Sequence, residues 1–445
     1  MDVAMSDEVH RPTIDNRKAW KEYWAKTQPH EWFERWGYWR TEPEIDEARQ
    51  RFLAARRAVQ PDVETGIYLF RDECGPIKLT RADVEWLLAT HEHEGDGNVG
   101  PIVWQEEQRK PTQERRWGLD VRGADLSDLN LEGLPLSCLR AGLTIPEGTS
   151  TTRRKRRLAV PTLRNSDLSG AHLEGAMLSR VYLEGADLQG AHLAQANLFG
   201  AHLEGALLSQ AHLEGAILSR AFFDASDYFS RTRLASGEDG AVQVADVRWN
   251  GVSLATVEWA GLRMLGDEQE ARRGRTSLGK RKDTARRREE YEAAVRANRQ
   301  FATALREQGL NEYADRFAYR AQLCQRQVLR RQGVRKWPAY LGSLLLWELS
   351  GYGYRIWRIF AAYALAVLVF AAIYFQMGMP NNPATTLREH VLNALLVSLT
   401  AIHGRVFFEQ FNFTPQAWIA AVESVVGIVI EGIFVAMLIQ RWFQR

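Results

Sequence analysis

The hydrophobic and polar positions of this chain follow different periods in different regions. Near the N-terminus, apolar residues recur at helical spacing in RADVEWLLATHE, where Val84, Leu87 and Leu88 share one face, and PEIDEARQRFLAARRAV is a second amphipathic segment. Eight tryptophans lie between positions 20 and 117. These features predict a small, α-rich packed domain over residues 1–118 on the cytoplasmic side.

A different pattern follows, in which one apolar residue occupies every fifth position from Leu163 to Phe223, with alanine two residues earlier in most units. The same period is present earlier, from Leu126, and again from Val247 to Leu262. A helix cannot keep a period of five on one face, and a strand has a period of two. The pattern therefore predicts a solenoid of about five coils, in which each five-residue unit forms one side of a coil.

Units such as AHLEG, ADLQG and ANLFG resemble the A-D/N-L-x-x repeat of the pentapeptide-repeat proteins. The resemblance implies a right-handed quadrilateral β-helix, with leucine and alanine inside and three positions per unit outside. We assign it to residues 119–265, with an insertion at 140–162 and a loop at 224–244. Solenoids of this kind are binding or assembly surfaces rather than catalysts. Members of the family that mimic DNA have a strongly acidic surface, which this mixture of Arg, His and Glu does not provide.

Three histidines of the repeat are twenty residues apart, so His172, His192 and His212 are expected to stack on one outer wall, about 4.8 Å apart. Two interpretations fit this row. It is either a polar ladder on a solvated face or a pH-sensing ladder, since stacked imidazoles repel one another when charged. No metal site is predicted, because the sequence HEHE at 91–94 lacks further ligands at a known spacing.

Residues 266–336 are helical and basic, with nineteen Lys and Arg against ten Asp and Glu from position 267 to 336. Two amphipathic helices joined at QGLN, with Gly309 as the stop signal, predict a solvated helical hairpin or linker. The basic segment 272–288 is a candidate site for anionic lipid. Nucleic acid is not expected as a partner, because aromatic residues are not interleaved with the charges.

Two apolar runs close to the C-terminus predict membrane spans at 359–378 and 416–442. Trp418 and Trp442 are 24 residues apart, about 36 Å along a helix, which suits aromatic anchors at the two interfaces. Basic residues precede the first span and follow the second, so both termini are expected in the cytoplasm, in a multi-pass protein of the plasma (inner) membrane. Residues 337–358 are predicted to form an interfacial helix.

The run REHVLNALLVSLTAI between the spans is helical but too short to cross a bilayer. The order of a span, a short helix, a loop and a second span resembles the two-transmembrane pore-loop channels of the potassium-channel superfamily. By this resemblance, residues 386–413 would be the pore helix and filter loop. The resemblance covers residues 351–445 and implies a homo-oligomer, most simply a tetramer. The sequence GYG at 351–353 precedes the first span and is predicted to be a turn rather than a filter.

The resemblance assigns the filter to residues that depart from the potassium signature: Thr400, Ala401, Ile402, His403, Gly404 and Arg405. A β-branched Ile402 does not suit the backbone conformations that glycine permits there. A ring of Arg405 would favour anions, so we expect an anion-permeable or weakly selective pore. On the second span, Glu423 is the predicted partner of Arg405.

Three further residues of the second span carry predictions. Glu431 lies near the bilayer centre, where an ionisable side chain is a candidate functional residue, although a hydrogen bond to a neighbouring helix fits equally well. Gly427 and Gly432 would permit either bending during gating or close helix packing.

Composition adds little beyond this organisation. Lys and Arg total 57 and Asp and Glu total 55, so the net charge of +2 favours no class of partner. Three widely spaced cysteines and the absence of an N-terminal apolar core predict a reduced, cytoplasmic bulk without a signal peptide. Short two-span channels and pentapeptide solenoids on one chain suggest a bacterial source.

The sequence therefore predicts a multidomain protein with an α-rich N-terminal domain, a β-helix, a helical hairpin and a two-transmembrane pore domain. The first functional interpretation is an ion channel in the lipid bilayer that passes inorganic ions and is gated or assembled through the solenoid. The second is a non-conducting, membrane-anchored scaffold that binds a partner. No catalytic constellation or cofactor motif is recognisable, so an enzyme is not expected and no cofactor is assigned.

Overall fold

A computed structural model defines the fold and separates the chain into two compact units, Met1–Cys324 and Gln325–Arg445. The residues that the structure describes are 11–13, 16–62, 64–92, 99–102, 118–144, 147, 152–224, 229–237, 240–249, 252–259, 261–276, 279–355, 357–377, 386–404 and 415–443.

The first unit begins with four short helices and a β-hairpin: α1 (Arg17–Thr27), α2 (His30–Trp36), α3 (Glu47–Arg57), β1 (Arg71–Asp72), β2 (Gly75–Lys78) and α4 (Arg81–Ala89). Helix α4 starts at a capping box, in which the Thr80 hydroxyl accepts from the Asp83 amide and the Asp83 carboxylate accepts from the Thr80 amide. Leu53 of α3 and Leu87 of α4 are fully buried. The two amphipathic helices predicted here are present.

The N-terminal region adds directly to the first coil. Strand β2 pairs in parallel with β3 (Ala124–Asp125), with Ile77 opposite Ala124. One hydrophobic core runs from Leu53 through to Leu193 in the middle of the repeats. The N-terminal region therefore closes one end of the coil, which an open-ended solenoid needs to protect its apolar interior.

The repeats form a coil whose successive turns pair in parallel at single residues. One row of such bridges links six levels of the coil: Asp125, Thr162, Tyr182, His202, Phe222 and Arg248. The leucines of the five-residue period lie inside, and those from Leu163 to Leu218 are at most 1% exposed. The β-helix predicted from the period is present. Pairing continues across the insertion, which contains helix α5 (Arg153–Ala159).

Strands β4 (Ala235–Ser236) and β5 (Gly240–Ala241) form a β-hairpin within the last turns of the coil. The coil is followed by helices α6 (Gly266–Arg272), α7 (Thr284–Glu307) and α8 (Asn311–Arg331). The hairpin turn at Gly309, with φ +75°, lies where it was predicted. The prediction that this hairpin is solvated is wrong for one face. Phe301 and Phe317 are fully buried, and the Phe301 ring centroid is 5.4 Å from that of Trp249 in the coil.

Polar side chains join this hairpin to the backbone of the coil. Gln308 accepts from the Leu254 amide and donates to the Val252 carbonyl, both at 2.7 Å. The buried Asp267 carboxylate accepts from the Val244 amide at 2.7 Å, and burial raises the pKa of this carboxyl to about 6. These bonds satisfy backbone groups that would otherwise be left unpaired at the end of the coil.

Many basic side chains of the segment 272–288 are paired within the chain. Lys282 contacts Glu270 at 2.7 Å and Glu290 at 2.8 Å, and Arg272 contacts the buried Glu268 at 2.7 Å. These pairs reduce the positive charge that the segment offers to a partner, and its predicted contact with anionic lipid stays a prediction.

The second unit contains a short 3₁₀ turn (Val334–Lys336) and helices α9 (Trp337–Ser350), α10 (Trp357–Met377), α11 (Leu387–Ala401) and α12 (Pro415–Phe443). Length and composition make α10 and residues Pro415–Ile439 of α12 candidate membrane-spanning helices. Gly351, in the left-handed conformation, ends α9, and residues 351–354 form a turn before α10. This is the turn predicted for GYG.

Candidate functional site

The short helix α11 packs between the two long helices of the second unit. It starts at Thr386, whose hydroxyl accepts from the Glu389 amide at 3.4 Å, and its fifteen residues are too few to cross a bilayer. At its C-terminal end, the Ala401 carbonyl accepts from the Ser424 hydroxyl of α12 at 2.7 Å. The end of α11 is therefore fixed against α12.

Ile402 follows α11 and is fully buried against α12. A Cβ atom placed on Gly427 would lie 1.9 Å from the Ile402 carbonyl oxygen, so only glycine permits this contact. Gly432 is different, because a Cβ atom there would meet nothing within 4 Å. Gly427 therefore lies at a close contact between α12 and Ile402, whereas Gly432 has open space beside it. A gating role of either glycine stays a prediction.

A polar cluster links all three helices next to this contact. His403 Nδ1 is 2.5 Å from Glu431 Oε1 of α12, and Nε2 of the same ring is 3.0 Å from the Tyr363 hydroxyl of α10. Both ring nitrogens of His403 therefore have polar partners on the long helices. The side chains of His403 and Glu431 remain 41% and 49% exposed on the surface of the unit.

A second cluster is completely buried between the same helices. Glu423 Oε1 of α12 is 2.5 Å from the Ser398 hydroxyl of α11, which is also 3.0 Å from the Val367 carbonyl of α10. The Tyr374 hydroxyl of α10 also interacts with the Glu423 carboxylate. The predicted partner of Glu423, Arg405, lies outside the described residues.

The described residues assigned to a filter, 400–404, form the end of α11 and the turn that follows it. Thr400 and Ala401 belong to the last turn of α11, and the Thr400 hydroxyl donates to carbonyls of its own helix. The Ile402 backbone is still helical, and Gly404 has a φ of +68°. The assignment of these residues to a pore stays a prediction, with His403 as the member that joins a polar cluster.

The histidine row of the coil has the geometry that its spacing predicts. The ring centroids of His172 and His192 are 4.7 Å apart with planes 11° from parallel, and those of His192 and His212 are also 4.7 Å apart. Glutamates lie beside the rings: Glu174 Oε1 is 3.1 Å from His172 Nδ1, and Glu214 Oε1 is 3.6 Å from His212 Nδ1.

These contacts shift the pKa values of His192 and Glu174. Burial lowers the pKa of His192, and the neighbouring His172 and His212 lower it further against the attraction of Glu174. Burial also acts to raise the pKa of the Glu174 carboxyl, but hydrogen bonds from His172 and Ser137 hold it below its usual value. The pH-sensing role of the row stays a prediction.

Two clusters in the described part of the coil bring three metal-ligand atoms within 4.8 Å of one another: His172, Glu174 and His192, and Glu184, His202 and Glu204. In the first cluster the two imidazoles are stacked. An ion between them would lie outside both ring planes, whereas the nitrogen lone pair that binds a metal points along the ring plane. The side-chain conformations of the first cluster therefore do not form a coordination site.

Several of these polar residues were not singled out in the sequence. The glutamates have a simple signal, since HLEG places Glu two residues after His and therefore on the same face. His192 stands in HLAQ without a glutamate of its own and is 3.9 Å from Glu174 of the preceding coil. Tyr363 and Ser398 have no comparable signal, because their partners are 40 and 25 residues away in sequence.

The pentapeptide repeat family matches residues 162–195 and 196–227. Among solved structures, the chain is similar to the pentapeptide repeat protein Rfr23 of the cyanobacterium Cyanothece 51142, with 26% identity, 31% of this chain and 86% of that chain covered, and a TM-score of 0.20. It is also similar to HetL of Nostoc sp. strain PCC 7120, a pentapeptide repeat protein involved in heterocyst differentiation regulation, with 23% identity, coverage of 29% and 67%, and a TM-score of 0.16.

A pentapeptide repeat protein of the Arabidopsis thaliana thylakoid lumen is 20% identical, with coverage of 35% and 77% and a TM-score of 0.12. No curated protein matches the chain. Residues 162–227 are therefore pentapeptide repeats.

Proposed function

We propose that the protein, which combines pentapeptide repeats with two candidate membrane-spanning helices, is a homo-oligomeric membrane ion channel. The observation that carries this proposal is the exposed His403–Glu431 pair beside the exposed apolar side chains of α10 and α12.

The apolar surface supports a position within a bilayer. Leu365 and Leu368 of α10 are 63% and 59% exposed, and Val425 and Ile428 of α12 are 61% and 65% exposed. Water would disfavour so many large apolar side chains on one surface, whereas hydrocarbon would accept them.

The exposed polar pair indicates that one face of the unit is not covered by lipid. A charged side chain near the centre of a bilayer costs about 3 kcal/mol or more, and such residues face other helices or a water-filled cavity. Glu431 and His403 remain about half exposed although Tyr363 already contacts the ring. Further copies of the chain arranged around a water-filled path would hydrate this face.

The same pair bears on ion selectivity. A histidine beside a glutamate presents one group that can be positive and one that can be negative, so a pore lined by them favours neither sign of ion strongly. A positive Arg405 would add a preference for anions. We therefore propose an anion-permeable or weakly selective channel, with four subunits as the simplest arrangement and the pentapeptide coil as the part that binds a partner or assembles subunits.

The test is the reversal potential of the full-length protein in a planar bilayer under a KCl gradient of about tenfold. We expect a conductance that reverses near zero or shifted towards the chloride equilibrium potential. The variant Glu431→Gln, which removes a negative charge from the proposed path, should shift the reversal potential further towards chloride. The matched control Glu348→Gln changes an exposed glutamate of α9, outside the candidate spans, and should leave it unchanged.

Silence of the verifiably inserted protein would contradict the channel. The membrane-anchored scaffold would then be the better interpretation, with the pentapeptide coil as its partner-binding surface.

A further inference from the structure

A groove of about 720 Å³ runs along one corner of the coil in the first unit. Arg180, Phe199 and Arg220 line it from three successive coils, and Arg248 lines it from the next. Its volume is in the range of small-molecule sites, and nothing in the predicted channel activity accounts for it.

The arginines of this groove are held in place by aromatic rings. The guanidinium carbons of Arg180 and Arg220 are 5.9 Å and 5.5 Å from the Phe199 centroid. Since one arginine comes from the coil before Phe199 and the other from the coil after it, they approach opposite faces of the ring. Such cation–π contacts orient a guanidinium and leave its N–H edge to bind another group.

A row of stacked rings forms the adjacent wall. The centroid of His202 is 5.2 Å from that of Tyr182 and 4.5 Å from that of Phe222. Arg164 covers the ring of Tyr182 at 4.9 Å, and Arg248 covers that of Phe222 at 4.8 Å. The ring faces are therefore occupied, either by another ring or by a guanidinium.

Two arginines of the groove, Arg220 and Arg248, are not balanced by carboxylates of the described residues. Across the part of the chain that the structure describes, Arg220 and Arg248 form no ion pair. By contrast, Arg164 is paired with Glu184 at 2.9 Å. The acidic residue that lines the groove, Asp246, is itself paired with Arg296 at 3.0 Å. The groove is therefore positive, with oriented N–H donors.

We propose that this groove binds a small anion that carries several phosphate groups. Planar guanidinium groups bind phosphate oxygens through paired N–H donors. Arg180 and Arg220 are two coils apart, which is about 10 Å along the coil, and Arg248 lies on the coil after Arg220. The arginines therefore match several linked phosphates better than a single one. Because the ring faces are already covered, a nucleotide base gains no stacking, and recognition depends on the phosphates.

The experiment is calorimetric titration of the full-length protein in detergent with tripolyphosphate, ATP and orthophosphate. We expect tripolyphosphate and ATP to bind with similar affinity and orthophosphate to bind at least about tenfold more weakly, since fewer charged hydrogen bonds form. Arg220→Gln and Arg248→Gln should each weaken tripolyphosphate binding about tenfold. Phe199→Leu should also weaken it, although it removes no charge.

The matched control is Arg233→Gln, which removes an exposed arginine that is paired with Glu258 on another face of the coil. It should leave the affinity unchanged. A second arm uses vesicles that contain a phosphorylated inositol lipid, with phosphatidylcholine vesicles as the blank. If the protein binds these vesicles but not tripolyphosphate, and Arg220→Gln weakens the vesicle binding, the phosphates belong to a lipid headgroup.

Absence of binding to all of these phosphate compounds would overturn the proposal. Binding that Arg220→Gln, Arg248→Gln and Arg233→Gln all reduce equally would overturn it too, because general positive charge would then account for it. Thermal melting of each variant shows whether the coil has remained folded.

Discussion

The coil keeps its apolar side chains in its interior, whereas the helical unit exposes many of its apolar side chains on its outer surface. In the coil, Leu193 and its equivalents are fully buried and the charged residues face outward. In the helical unit, Ile428 and Leu365 are 65% and 63% exposed, while the carboxylate Glu423 is fully buried. The same rule explains both arrangements if the coil is surrounded by water and the helices by hydrocarbon.

This contrast also separates the forces that hold each region together. The coil is stabilised by burial of leucine and alanine and by backbone bonds between coils, such as Leu173 N–H to the His192 carbonyl at 2.8 Å. In hydrocarbon, helices gain little from burying leucine, so close packing at Gly427 and polar bonds such as Ser398 to Glu423 become the specific contacts.

The largest difference in stability is expected when a large apolar side chain is replaced by alanine, once in the coil and once in the helical unit. Leu193→Ala should lower the local stability of the coil by about 2–5 kcal/mol, because it leaves a cavity in a closely packed interior. Ile428→Ala should change stability by less than about 0.5 kcal/mol. Amide hydrogen exchange of the full-length protein, read on peptides around each position, measures both. Equal effects would contradict the opposite arrangement of the two regions.

A smaller effect is expected from adding one methyl group within the helical unit. Gly427→Ala should destabilise the packing of α11 on α12 by about 1–3 kcal/mol, because the new Cβ would overlap the Ile402 carbonyl. Gly432→Ala is the matched control and should be nearly neutral. Thermal unfolding in detergent compares the two. A Gly427→Ala protein as stable as the wild type would show that the Ile402 contact contributes little.

The smallest effect concerns pH and the coil. Because the pKa of His192 is lower in the folded coil than its ordinary value of 6.5, the unfolded chain binds more protons between those two values. The contribution of His192 to stability is therefore complete above pH 6.5 and decreases as the pH falls towards the folded pKa. The groups facing it are His172, His212, Glu174 and Glu214.

His192→Gln should make the coil less sensitive to a change from pH 7 to pH 5, measured by hydrogen exchange of its amides. His30→Gln is the control, since His30 is an exposed residue of α2 that pairs with Glu34. Identical pH sensitivity of wild type and His192→Gln would remove the physical basis for a sensing row.

Sequence patterns predicted the coil and most helices because their signals are local. A period of five fixes the inward residues of the repeat, and Gly309 marks the end of a helix without reference to the rest of the chain. The positions of His172, His192 and His212 in one row follow from the same period. The bounds of α10 and α12 lie within two residues of the predicted spans.

Contacts between residues far apart in sequence were not predictable in this way. The hairpin was expected to be solvated because its charges alternate, whereas Phe301 and Phe317 pack at the end of the coil. The His403–Glu431 bond joins residues 28 positions apart. Arg220 and Phe199 meet only because the coil brings neighbouring repeat units together, and both occupy positions that the repeat pattern leaves variable.

The most direct test of the central claim is whether water reaches the His403–Glu431 face in a membrane. His403→Cys and Ile428→Cys are introduced separately into a protein with Cys74→Ser, because Cys74 is exposed while Cys138 and Cys324 are buried. Each is reconstituted in lipid and treated with a membrane-impermeant thiol reagent. We predict that the thiol at 403 reacts and that the thiol at 428 is protected. Equal protection of both positions would contradict a water-filled path along this face.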